Sequence, residues 1–130
     1  IDLTAEKIRI YKELDSLSSD KELESMKSRL TDRFGKLPVE LERLFDIVRI
    51  RQLGKKLGFE KIIIKNGVLI AFFITNPLSQ YYRSDRFSKI LEKITMYPNL
   101  FEMNQPDGRL RIIVRNVNDI AKAYEILKML

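Results

Sequence analysis

The feature that most restricts the fold is a change of hydrophobic period at Gly58. Before it, apolar residues recur every three or four positions; after it, they follow a period of two. "KIIIKNGVLIAFFI" reads as two strands joined by Asn66-Gly67, the two-residue signal for a type I′ hairpin, since both loop positions need positive φ. Pairing Lys65 with Val68 places Ile63, Ile70 and Phe72 on one face and Ile62, Ile64, Leu69, Ala71 and Phe73 on the other. Both faces are apolar, so helices are expected over both: the N-terminal helices on one, the last two on the other.

The first 58 residues read as three helices. Thr4 is placed to cap the first, which carries Ile10, Leu14 and Leu17 at i, i+4, i+7. Ser19 stands three residues before Glu22, the capping-box spacing, and opens a second helix with the stripe Leu23, Met26, Leu30 and Phe34. Gly35 ends it in a left-handed conformation, and Pro38 starts the third. That third helix has two apolar stripes, Leu41, Leu44, Phe45 and Val48, then Ile47, Ile50 and Leu57, which predicts burial on more than one side. Gly54 inside it points to close helix packing, and Gly58 stops it. Beyond the hairpin, Ser84 is placed to cap a helix with Phe87, Ile90, Leu91 and Ile94. "NLFEMN" and "RLRIIVR" form a second hairpin around Pro106-Asp107-Gly108, and a last helix follows Asn118. The fold class is α+β: three N-terminal helices followed by a small antiparallel sheet in ββαββα order. Residues 1–130 read as a single domain, helical over 1–58 and sheet-containing over 59–130. The opening on Ile1, in the run-up to a helix, suggests a piece of a longer protein.

The chemistry available is narrow. There is no His and no Cys, which removes imidazole bases, thiolate metal sites and cysteine nucleophiles. No glycine-rich phosphate loop is present, Glu40 and Glu42 face apart on a helix, and Glu22 serves a cap. A non-catalytic binding or regulatory module is the expectation, with no cofactor of its own. No apolar run is long enough to span a bilayer, and the absence of cysteine fits a cytoplasmic home.

Three charged features are open to more than one reading. "RIRQLGKK" brings Arg49, Arg51, Lys55 and Lys56 without an acid among them: a solvated helix surface or a phosphate-binding patch. Arg109, Arg111 and Arg115 alternate with apolar residues, as on any strand with one wet face, or as a partner-binding strand. Together they make the possible basic patch of a nucleic-acid-binding module. In "LTDRFGKLP", Phe34, Gly35, Leu37 and Pro38 specify the turn, which leaves Asp32-Arg33 over: a local charge pair, or a pair held for a partner.

The residues carry a pattern that resembles the C-terminal domain of the bacterial transcription-repair coupling factor. Lys7, Ile8, Tyr11 and Lys12 match its basic-apolar-x-x-Tyr-Lys segment. Leu30, Asp32, Arg33, Phe34, Gly35 and Pro38 match its apolar-x-Asp-Arg-Phe-Gly-x-x-Pro segment, and Leu57-Gly58 the end of its long helix. The likeness covers about residues 5–58 in motifs and the rest in element order. It implies a large ATP-driven DNA translocase as parent, with ATP and Mg in its motor upstream. It implies docking on the parent's own N-terminal UvrB-like module, masking the UvrA-binding surface until RNA polymerase is engaged. UvrA and RNA polymerase are then indirect partners, DNA is met through the parent, and no membrane is involved. Arg29, Asp32 and Arg33 fall on the docking side. The family often has Glu where this chain has Arg29, which reverses a charge one turn before Asp32. A nucleic-acid-binding module and an enzyme domain completed by a neighbour are the rival classes.

Overall fold

The structure, a computed structural model, describes residues 3–130, with side chains from Glu6 onward. Five helices and four strands follow one another: α1 Leu3–Ser16, α2 Asp20–Phe34, α3 Val39–Leu57, β1 Phe59–Lys65, β2 Val68–Phe73, α4 Asp85–Met96, β3 Glu102–Asn104, β4 Arg111–Arg115 and α5 Ile120–Lys128. This is the α+β order that the change of period predicts. Two compact units result, Ile1–Gln52 and Leu53–Leu130, with the division inside α3 and short of Gly58. The last turns of α3 go with the sheet because Gly54 packs on it: a Cβ there would lie 2.6 Å from Ile62 Cδ1.

In the first unit the three helices enclose Ile10, Leu14, Leu23, Met26, Leu30, Leu37, Leu41, Phe45 and Val48. Each α2 position in that set was set by spacing, so one buried stripe fixes which residues of α2 face outward. The start of α2 is held by Ser19, whose Oγ accepts the Glu22 N–H at 3.1 Å. The reciprocal half of the box differs from expectation. Glu22 Oε1 takes the Ser18 N–H at 3.4 Å and both serine hydroxyls at 3.1 Å. Those donors hold the Glu22 carboxyl below its usual range, with the Ser19 hydroxyl first among them. Gly35 ends α2 at φ +80, and its N–H bonds Thr31 O at 2.8 Å. Two expectations are corrected here. α1 begins at Leu3, so Thr4 lies within the helix, and its side chain falls outside the described residues. Ile47 is 48% exposed, so the second stripe of α3 is buried only at Ile50 and Leu57.

In the second unit the sheet is wholly antiparallel in the order β1-β2-β4-β3. Asn66 and Gly67 have φ of 52° and 76°, and Lys65 pairs with Val68, as the hairpin signal requires. One sheet face carries Leu69, Ala71, Phe73, Ile112 and Val114, all buried, as are Ile90, Ala123 and Leu127 of α4 and α5. The Phe87 ring of α4 meets Phe73 edge-on at 5.5 Å. The other face was expected to lie under a helix, yet Ile63, Val68, Ile70 and Phe72 are only half-buried. Cations shield it instead: the Arg109 guanidinium lies 4.6 Å and that of Arg111 6.0 Å from the Phe72 ring centroid. Such side chains cover apolar surface with their stems and keep their heads in water. Among the described residues no helix is long and apolar enough to cross a membrane.

Candidate docking site

With Leu23, Met26 and Leu30 turned inward, helical geometry turns Arg29, Asp32 and Arg33 outward on one side of α2's last turns. All three are exposed. Arg29 is ion-paired through Nη2 to Glu13 Oε2 on α1, with its side chain 63% exposed. Arg33 Nη2 lies 3.9 Å from Glu6 Oε1, and its guanidinium stacks 4.8 Å from the Phe34 ring centroid. Asp32 has no ion-pair or hydrogen-bond partner among the described residues. The face thus has two arginines oriented by acids of α1 and one carboxylate with nothing opposite. Exposed pairs of this kind stabilise a fold by at most about 1 kcal/mol. The charge of Arg29 is balanced internally by Glu13. Sequence reading missed Glu13 and Glu6, since α1 and α2 are brought together only by packing.

The possible basic patch comes apart. Arg49, with a side chain 19% exposed, reaches Asp20 Oδ1 at 2.8 Å, Asp46 Oδ1 at 3.9 Å and the Glu24 carboxylate. Arg51 bonds Asp15 Oδ1 at 3.2 Å. Both serve the packing of the first unit. Lys55 and Lys56 belong to the second unit and are exposed. On β4, Arg111 Nε donates to Asn104 Oδ1 at 2.7 Å, and Arg115 pairs with Glu102 at 2.9 Å. Arg109 and Arg111 share the Phe72 ring, as described above.

At the end of α3 the structure makes plain a constraint that no local sequence pattern signals. Gly58 has φ +98, and a Cβ on it would lie 2.1 Å from Tyr81 Cε1. The Tyr81 hydroxyl donates to the Leu57 carbonyl, and burial pushes the phenol up to about 12. Tyr82 donates likewise to Ile74 O and is raised by burial, though less.

Comparison with known proteins gives a consistent result. The family model described as "TRCF domain" matches residues 1–84. The transcription-repair-coupling factor of Rickettsia conorii is 36% identical over 124 residues, which is 93% of this chain and 10% of that protein. That of Escherichia coli is 43% identical over 56 residues, 43% of this chain and 5% of that protein. A crystal structure of the C-terminal domain of transcription-repair coupling factor shares the fold, with TM-score 0.72 at 21% identity over 97% of this chain and 74% of that one. The chain spans about a tenth of the length of the curated relatives that match nearly all of it.

Proposed function

The chain belongs to the TRCF domain family, and from that premise we propose that it is a non-catalytic regulatory domain of a transcription-repair coupling factor. It docks on the parent's N-terminal UvrB-like module and masks the UvrA-binding surface until RNA polymerase is engaged. ATP and Mg belong to the motor of a DNA-translocating parent, which acts in the cytoplasm. The observation that carries the reading is the outward Asp32 carboxylate, without a partner among the described residues, between two arginines already oriented from α1. A cationic group on the docked module would complete the set, and water leaving the interface would strengthen it. The rival reading, nucleic-acid binding through Arg49, Arg51, Lys55, Lys56, Arg109, Arg111 and Arg115, has less support, because carboxylates already neutralise Arg49, Arg51 and Arg115.

The test is a titration of the chain against the N-terminal module. Asp32→Ala with Arg33→Ala should lower stability by about 1 kcal/mol or less, since both side chains are exposed. Docking should weaken by about 2 kcal/mol, roughly 30-fold. Collapse of stability with unchanged affinity per folded molecule would make "DRFG" a structural turn only.

A further inference from the structure

Net charge divides unequally between the two units. Ile1–Gln52 holds 11 basic and 11 acidic residues, net zero, whereas Leu53–Leu130 holds 13 and 7, so the whole +6 belongs to the second. Ion pairs divide the opposite way. Among the described residues, Arg115–Glu102 is the only one in the second unit. That unit therefore presents cations with nothing opposite them.

Three of these line one open cleft: Lys56 at the end of α3, Arg83 in the 3-10 turn Gln80–Arg83, and Arg86 in the first turn of α4. Gln80, Tyr81 and Ser84 complete the lining. All three cations are exposed, and none has an ion-pair or hydrogen-bond partner among the described residues. The cleft is built rather than incidental. Tyr81 ties the 3-10 turn to α3 by donating to the Leu57 carbonyl, which fixes Arg83 beside Lys56. Arg86 then begins a stripe: Lys89 and Lys93 follow at i+3 and i+7, on the same side of α4, exposed and likewise unpaired. At 1.5 Å per residue the stripe runs for about 10 Å.

We infer that this cleft and stripe form a contact site for the phosphodiester backbone of nucleic acid. The cleft alone would serve a single phosphate. A line of cations that continues along a helix instead matches a polyanion with regularly spaced charges, about 3.4 Å of axis apart on each strand of a duplex. An acidic protein surface fits less well, because the lining side chains, three of them cationic, include no aliphatic residue to receive the buried apolar anchor on which protein interfaces depend. Contacts of this type position a nucleic acid and read no sequence. The site shares no residue with the α2 docking face, so it stands or falls independently of the proposed docking.

The experiment uses the chain and a fluorescent duplex of arbitrary sequence, about 20 base pairs long, with anisotropy followed between about 50 and 200 mM salt. The triple variant Lys56→Ala, Arg83→Ala, Arg86→Ala should lose about 2.7 from the slope of log K against log salt, about 0.9 for each contact removed. Arg86→Gln alone should lose about 0.9. The matched control Lys21→Ala, Lys36→Ala, Lys65→Ala removes the same charge at exposed positions elsewhere and should leave the slope near that of the parent chain. Three results overturn the inference: no binding at the lowest salt, an equal loss of slope in the control, or tighter binding of oligoglutamate of matched charge than of the duplex.

Discussion

Replacing Gly58 by alanine should be among the most damaging single substitutions in the second unit, and the structure supplies the magnitude. Gly58 bonds back to Gly54 O at 3.0 Å and Lys55 O at 3.2 Å while its own φ is +98. An L residue forced into a left-handed conformation costs about 1–2 kcal/mol. The new methyl also meets Tyr81 Cε1 at 2.1 Å, and that ring has little freedom to yield. Its hydroxyl is bonded to the Leu57 carbonyl, and its centroid sits 5.4 Å from Phe87 and 6.3 Å from Phe73. Moving it gives up a hydrogen bond of about 1 kcal/mol and aromatic contacts of about 0.5–1.5 kcal/mol each. Gly58→Ala should therefore cost about 3–6 kcal/mol, the size expected only of a named structural fault. The assay is urea unfolding of the chain followed by circular dichroism, read as a double-mutant cycle with Tyr81→Ala. In the Tyr81→Ala background the clash is gone and only the backbone cost of about 1–2 kcal/mol should remain. A cost below about 1 kcal/mol for Gly58→Ala, or the same cost in both backgrounds, refutes the reasoning.

Two further outcomes follow from the titrating groups. Ser19→Ala should cost about 1 kcal/mol as a lost helix cap and let the Glu22 carboxyl rise towards its ordinary value of 4.5, measured by NMR titration. Because the folded carboxyl is lowered, its contribution is present above 4.5 and is lost as pH falls through the folded value; Ser19→Ala should shrink that acid-side loss. The Tyr81 phenol moves the other way, from 10.0 up to about 12, so its contribution is intact below pH 10 and disappears as pH rises towards 12. Tyr81→Phe should cost about 1 kcal/mol at neutral pH and flatten the alkaline limb, as measured by denaturation across that range.

Which of these features a reader of the sequence could have found depends on sequence distance. Several element boundaries with a local chemical cause were legible, Ser19 and Ser84 as caps, Gly35 as a terminus and Asn66-Gly67 as a hairpin, whereas the caps Ser79 and Asp119 were not singled out. The inward stripe of α2 was legible too, and with it the outward placement of Arg29, Asp32 and Arg33. What failed to show was non-local. The pairing of β2 with β4 depends on strands separated by α4 and β3. Two of the three acids that neutralise Arg49, Asp20 and Glu24, come from α2, up to 29 positions away, so a run of cations in one helix looked like a patch. Phe72 looked like a residue awaiting a helix because nothing local shows that Arg109 and Arg111 will lie over it. Gly58 looked like a simple helix stop because Tyr81 is 23 positions later.

The separation of paired and unpaired charge gives the two proposed surfaces opposite electrostatic signs, and that makes them separable in solution. In the first unit the basic and acidic counts cancel, and the group left over on the docking face is an anion, Asp32. In the second unit the groups left over are cations, gathered at Lys56, Arg83 and Arg86. Neutralising Asp32 removes attraction for a cationic docking partner but removes repulsion from a polyanion. One substitution thus predicts movements of opposite direction: docking weakens, while duplex binding stays level or tightens slightly at low salt. Neutralising the cleft cations does the reverse, lowering duplex binding and its salt slope while leaving the α1–α2 face intact. A single surface serving both partners would move both affinities together in each variant, and that result would collapse the two sites into one.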